Sequence, residues 1–558
     1  MDKYEVAILS NIIVSQLCGI LEYYLRKESI DATARTGGYD NILQDSAKFK
    51  DSDLVIIFWE LANVVNGFQY KVNSMDSGEI ESLISRIKDE IDFVLINLKK
   101  APLVLFNKFS SLIFTTQYVK KNNFDNICRT LNQYLQEKAP SNVILIDTDK
   151  VIAQTSIHGS VDFRFYYSSR VLYGIEFYKN YSEYVKPIIL AAHGKSKKIL
   201  VFDCDNTLWK GVLGEDGHDG IEMSGKTQNG SVFEDIQYMA LELQKRGILL
   251  GLCSKNNPQD IDRLFAAHPD MKIKDEDITI KKVNWNDKVT NLKEIARELN
   301  IGLDSVVMLE DSDFEVNYIR EFLPDVTVLQ VPANLHEYPS MLSKYMGLFF
   351  NLSESEEDSK KTIMYRRQAK REGEKSTFKD ITEYLKSLEL ELTVYCDNES
   401  IIPRMSQMTQ KTNQFNLTTK RYTESDIEKF ITSAQYKTFA FSIRDRFGDY
   451  GITGLCIAKL DPEAKNAHID TFLMSCRVIG RNVEVVFLNF IIDYLRDLNI
   501  DFLCAEYIKT LKNMQVADFY DDYGLSRIEN GDGRKVYKIH LSKLKPKKID
   551  YIKVKYGR

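Results

Sequence analysis

Short apolar runs recur in two series along this chain, each spaced to leave room for a helix between runs, and this pattern restricts the fold most. The first series is VAIL near residue 6, DLVIIF near 53, PLVLF near 102 and NVILI near 143. The second runs through KKILVFDCDNT, ILLGLCSKNN, DITI, SVVMLEDS and VTVLQV. Continuous apolar strands alternating with helix-like segments predict parallel sheets covered on both faces. After residue 380 the character changes: FAFSIRDRF, GITGLCIAKL and AHIDTFLMSCRV are longer strand-like runs, and the amphipathic VEVVFLNFIIDYLRDL follows them. That region predicts a mixed α+β domain. The fold class is therefore multidomain α/β, and 558 residues leave room for roughly three or four domains. We divide the chain into an α/β domain over 1–155, a Tyr-rich connector over 156–195, a second α/β domain over 196–350, a charged linker over 351–380 and an α+β domain over 381–558.

Composition excludes several function classes. Hydrophobic and charged fractions of 44% and 28% are those of a globular protein, and a net charge of -6 argues against a broad nucleic-acid surface. Polar residues interrupt the apolar stretch at 6–25, and Glu60 breaks VIIFWELANVV, so no membrane span is expected. The eight cysteines form no CxxC pair and the seven histidines no HExxH, which points to a reducing, cytoplasmic setting and away from zinc hydrolysis.

The second series carries the chemistry. Asp203 and Asp205 follow a buried strand, at the carboxyl edge where open α/β sheets bind ligands. Asp203 is the candidate nucleophile toward phosphorus; Asp205 is the candidate acid for the leaving oxygen and then base for water. Thr207 is placed to hold the turn or the phosphate. Ser254 ends the next strand and can donate to a phosphoryl oxygen, and Lys288 near a helix start can neutralise developing charge. Glu310 and Asp311 end a further strand. Carboxylates crowded beside a phosphate require a cation, so Mg2+ is expected on Asp203, the Asp205 carbonyl and Asp311, with Glu310 reaching it through water. About fifty residues separate Asp203 from Ser254, too few for a large cap, so the site is expected to be open beneath a small flap, WKGVLGEDGHDGIEM.

DCDNTLWKGVLGEDG, LCSKNN, VNWNDKVTNLKEIARELNIGLDS and LEDSDFE resemble the FkbH-like branch of the haloacid-dehalogenase (HAD) superfamily. The resemblance continues in TQKTNQFNLTTKRYT, IRDRFGDYGITG and MSCRVIGRNVE. It implies a Rossmann-like HAD core, an amino-terminal flavodoxin- or SGNH-like domain and a carboxy-terminal domain similar to N-acetyltransferases (GNAT-like). This chain departs from the family's pair of aspartates at Glu310, which is one methylene longer.

In GNAT proteins a strand-to-helix loop of pattern [QR]xxGx[GA] binds pantetheine, and Arg477, Gly480 and Asn482 stand at the corresponding positions here, with Arg481 between them. The resemblance therefore implies binding of a carrier-borne phosphopantetheine at Arg477, Gly480, Arg481 and Asn482. Cys476, immediately before the loop, is a candidate acyl acceptor; the alternative is a buried structural thiol. In the amino-terminal domain Ser10 and Asn11 end the first strand, but no Asp-x-x-His partner follows, and His158 and Asp162 stand in the wrong order. We read that domain as non-catalytic.

The resemblance implies a bifunctional enzyme that takes a glyceryl unit from 1,3-bisphosphoglycerate, removes its phosphate and loads it on an acyl carrier protein. Two rivals are a phosphatase for a sugar phosphate or phospho-acid, and a non-enzymatic scaffold with a disabled site.

Overall fold

The computed structural model describes residues 3–65, 67–114, 122–352, 364–366, 381–446, 448–475, 478–510, 512–531 and 533–557. Most of the charged linker, and the residues Cys476 and Arg477, lie outside the described residues. Two compact units are present, Met1–Ile189 and Leu190–Arg558. Among the described residues no helix is long and apolar enough to cross a membrane.

In the first unit β1 (Tyr4–Ser10), β2 (Ala32–Tyr39), β3 (Leu54–Phe58), β4 (Leu103–Asn107) and β5 (Val143–Ile146) form a parallel sheet in the order β2-β1-β3-β4-β5. Every residue of β3 and β4 is buried, as continuous apolar runs require when both faces are covered. Residues 156–189, read from sequence as a connector, are part of this unit. Tyr173, Tyr178 and Tyr181 are buried around Phe58 at the end of β3, with the Tyr181 ring centroid 4.8 Å away. Tyr173 Oη donates to the buried Glu60 carboxylate at 2.7 Å.

The second unit contains two sheets. In the first, β6 (Ile199–Phe202), β7 (Leu249–Ser254), β8 (Ile278–Val283), β9 (Val306–Glu310) and β10 (Thr327–Gln330) pair in parallel in the order β10-β9-β6-β7-β8. The period-2 alternation of strands divides its side chains between two cores. Leu200, Phe202, Leu250, Leu252, Val307 and Leu309 pack against helices Gln228–Lys245 and Pro258–Ala267. Ile199, Val201, Leu249, Val306 and Met308 pack on the opposite face against helices Lys288–Leu299 and Asp313–Phe322. Central strand β6 is thus held on both faces, which fixes where its carboxyl end stands.

The other sheet is built from β11 (Leu390–Cys396), β12 (Phe415–Asn416), β13 (Tyr436–Asp445), β14 (Gly448–Asp461), β15 (Asn466–Met474), β16 (Phe502–Ile508), β17 (Arg527–Gly531), β18 (Arg534–His540) and β19 (Ile552–Tyr556). Its order is β17-β18-β16-β15-β14-β13-β11-β19. β15 and β16 are parallel, joined through helix Val483–Asp497, and pair only from Asn466 to Ile469 and Phe502 to Ala505. Beyond that, β12 pairs with Leu473 and Met474, Leu417 N donates to Phe472 O, and Ile508 N donates to Leu417 O. The segment Phe415–Leu417 therefore fills the gap that opens between β15 and β16.

Candidate active site

The carboxyl ends of β6, β7 and β9 gather the sequence-predicted residues into one place. Asp203 continues β6, with its N–H donating to Leu309 O at 3.0 Å. The chain then turns sharply: Thr207 N and Leu208 N both donate to Cys204 O, and Asn206 takes the left-handed conformation at φ 52. Cys204 points into the core and is fully buried, so the two aspartates on either side of it are left at the sheet edge.

Lys288 opens its helix behind Asp287, whose carboxylate accepts from Thr290 N at 2.8 Å and satisfies one free N–H of the first turn. From that position Lys288 Nζ reaches Asp203 Oδ1 at 2.6 Å and Glu310 Oε2 at 2.5 Å. All three side chains are buried. Burial pushes the Asp203 and Glu310 carboxyls up and outweighs the opposing pull of Lys288, while the two carboxylates together hold the Lys288 ammonium above its ordinary range. Burial also raises Asp311. The second Glu310 oxygen accepts from Ser312 N at 3.2 Å, so Glu310 is engaged on both sides.

Asp205 is held by three donors. Its Oδ1 accepts from Trp209 Nε1 at 3.0 Å and from Leu213 N at 2.9 Å, and its Oδ2 accepts from Asn256 Nδ2 at 2.9 Å. Asn256 Nδ2 also lies 3.2 Å from Ser254 Oγ, so Ser254 stands beside Asp205 at the end of β7. The Thr207 hydroxyl is buried and has no hydrogen-bond partner among the described residues. Its carbonyl accepts from Tyr338 Oη at 3.2 Å, which ties down the turn.

Carboxylate oxygens of Asp203, Glu310 and Asp311 lie within 4.8 Å of one another. Hard oxygen donors at that spacing suit Mg2+. The Asp205 carboxylate is not in this group, consistent with a separate task. Reasoning from sequence missed Asn256 and Trp209, and also Lys255, whose ammonium pairs with Glu315 at 2.6 Å beside the site.

The chain is similar to a solved structure of the N-terminal part of the protein BF1531 from Bacteroides fragilis, described as containing a phosphatase domain complexed with Mg. Identity is 26%, the TM-score is 0.57, and the match covers 63% of this chain and 95% of that one. Two N-acetyltransferases also align: the ribosomal-protein-S18-alanine enzyme of Escherichia coli at 13% identity and the spermidine enzyme SpeG of Vibrio cholerae at 15%. Both have a TM-score of 0.22 and cover 27% of this chain, with 94% and 95% of their own lengths aligned. No protein-family model matches the sequence, and no curated protein matches it.

The other predicted residues are placed differently. Arg481 is 5% exposed; its guanidinium pairs with Asp445 at 3.2 Å and lies over the Tyr450 ring, so its charge is turned into the domain. Gly480 and Asn482 adopt φ of 81 and 61, and Asn482 Nδ2 donates to Tyr551 Oη at 2.5 Å. In the first unit Ser10 Oγ donates to Phe58 O at 3.0 Å and accepts from Ile12 N, while the Asn11 amide is bonded to the Glu60 backbone at both ends. Asp162 caps a helix and pairs with Arg164. Each of these groups is committed to local structure.

Proposed function

We propose that this chain is a magnesium-dependent HAD-type phosphatase working through an aspartyl phosphate on Asp203. The observation that carries the reading is the convergence of Asp203, Lys288, Ser254, Asp205 and Asp311 on one sheet edge, with Lys288 Nζ 2.6 Å from the nucleophile. The Bacteroides fragilis structure, with its phosphatase domain and Mg, supports it.

Lys288 neutralises Asp203 Oδ1 and leaves the second oxygen to attack phosphorus. As that bond forms, the P–O bond to the substrate alcohol breaks and Asp205 gives its proton to the departing oxygen. Asp205 then takes a proton from water as the water oxygen bonds to phosphorus, and the P–O bond to Asp203 breaks to release phosphate. Ser254 and Thr207 donate hydroxyl hydrogen bonds to phosphoryl oxygens. Mg2+ would be held by Asp203, the Asp205 carbonyl and Asp311, beside Glu310; when bound it supplies the positive charge that lets a phosphate enter among carboxylates.

The finer reading is that the substrate is the glyceryl unit of 1,3-bisphosphoglycerate. A thiol attacks its acyl carbon, phosphate leaves and a thioester forms; the remaining phosphate ester is then hydrolysed at Asp203. The final acceptor is the phosphopantetheine thiol of an acyl carrier protein, with Cys476 as a relay. This rests on the FkbH-like resemblance of residues 195–530. Intact mass of a carrier protein after incubation with the chain and 1,3-bisphosphoglycerate tests it: a glyceryl adduct is expected, and an unchanged mass refutes it.

One observation favours a second reading, a phosphatase whose last domain transfers nothing. An extended pantetheine arm bonding along β15 would need its backbone edge at Phe472–Met474, and Phe415–Leu417 already occupies it.

A further inference from the structure

The Asp205 carboxylate is bonded unequally, and the inequality has a chemical consequence. Oδ1 accepts two N–H bonds, from the Trp209 indole at 3.0 Å and the Leu213 backbone at 2.9 Å. A carboxylate oxygen has two in-plane lone pairs, so neither is left on Oδ1 to take a proton. Among the described residues Oδ2 accepts one bond, from Asn256 Nδ2 at 2.9 Å, which leaves one lone pair for a proton. Trp209 is fully buried and sits four residues after Asp205, where the two form an isolated bridge; Asn256 is 7% exposed and comes from the loop after β7. One donor therefore comes from the turn beside Asp205 and another from the neighbouring strand's loop, so both the plane of the carboxylate and its direction are set from outside the residue.

We infer that Trp209 and Asn256 are positioning residues that select Oδ2 of Asp205 as the atom through which the proton passes. This rests on the reading of Asp205 as acid and base. Asn256 also ties that oxygen to Ser254, because the same Nδ2 lies 3.2 Å from Ser254 Oγ. The proton-transfer atom and a phosphate-binding hydroxyl are thereby held at one mutual distance. Proton transfer through the wrong oxygen, or from a rotated carboxylate, misplaces the proton relative to the leaving oxygen and to water.

The experiment uses the full chain with Mg2+, an alkyl phosphate and p-nitrophenyl phosphate. Loss of positioned acid–base help lowers kcat by about 10²-fold. In Trp209→Phe this loss is expected on the alkyl phosphate with KM nearly unchanged. The aryl phosphate, whose leaving group needs no proton, should still give a burst of one p-nitrophenol per enzyme followed by slow phosphate release. Asn256→Ala, nearer the surface, should show the same split and guards against a folding failure of the buried indole variant. Equal loss on both substrates without a burst, a change confined to KM, or wild-type rates in both variants overturns the inference. If the wild-type enzyme forms no phosphoryl adduct on Asp203 by intact mass, the reading beneath it fails instead.

Discussion

Lys288 Nζ lies 2.6 Å from Asp203 Oδ1, and the two side chains are 5% and 8% exposed. On the proposed mechanism, a cation buried against Asp203 stabilises charge on it and on an incoming phosphate where water cannot do so. Lys288→Met is expected to lower kcat by about 10²- to 10³-fold, the usual cost of one transition-state donor. Lys288→Arg should recover little, because a planar fork does not replace a compact ammonium held between two carboxylates. Steady-state hydrolysis of an aryl phosphate checks both; full recovery by arginine would mean that only net charge matters.

Glu310 stands where the FkbH-like pattern has aspartate, and the sequence alone suggests that Glu310→Asp leaves activity equal or higher, particularly at limiting Mg2+. The structure argues for the opposite. Glu310 spans from Ser312 N to Lys288 Nζ. Removing one methylene withdraws the carboxylate by about 1.5 Å, enough to lose the 2.5 Å contact. Glu310→Asp is therefore expected to lower kcat several-fold at saturating Mg2+, as titration of activity against Mg2+ would show.

In the first unit burial pushes the Glu60 carboxyl up to about 7. A carboxyl whose folded value is raised favours the folded state below its unfolded value, and that contribution is lost as pH rises toward 7. The span from 4.5 to about 7 corresponds to ~3 kcal/mol. Glu60→Gln keeps an acceptor for Tyr173 and removes the charge, so it should raise the melting temperature at pH 8 and leave it nearly unchanged at pH 4.5. Thermal unfolding at the two pH values decides the matter.

Chelation is expected to abolish phosphate release, and added Mg2+ to restore it. Mg2+ should also raise the melting temperature of the wild-type chain, and Asp311→Asn should lose most of that rise, because it removes the most accessible of the clustered carboxylates. A rise of equal size in the variant would place the ion elsewhere.

Much of the candidate site's arrangement was legible before folding. β6, β7 and β9 are apolar runs, each ending in or followed at once by a polar residue, so Asp203, Ser254 and Asp311 could be placed at one sheet edge from order alone. Asn256 was not legible, since its bond to Asp205 spans 51 residues and depends on β7 lying beside β6. The Arg481 ion pair was not legible for a related reason: nothing near it in sequence announces that Asp445 will be folded against its guanidinium. Phe415–Leu417 escaped because a two-residue strand carries no periodicity. The Tyr-rich segment reads from sequence as a connector packed on a neighbour, but which neighbour was not legible, because its partners Phe58 and Glu60 stand more than a hundred residues earlier.

The central claim is that phosphate passes through Asp203. Rapid acid quench of the full chain with substrate and Mg2+, followed by peptide mass analysis, measures it directly. The expected result is a phosphoryl group on the peptide containing Asp203, present in the wild type, accumulated in Asp205→Asn and absent in Asp203→Asn, which should also release no phosphate. Turnover by Asp203→Asn at a rate comparable to the wild type, or a phosphoryl group on another residue, would contradict the account.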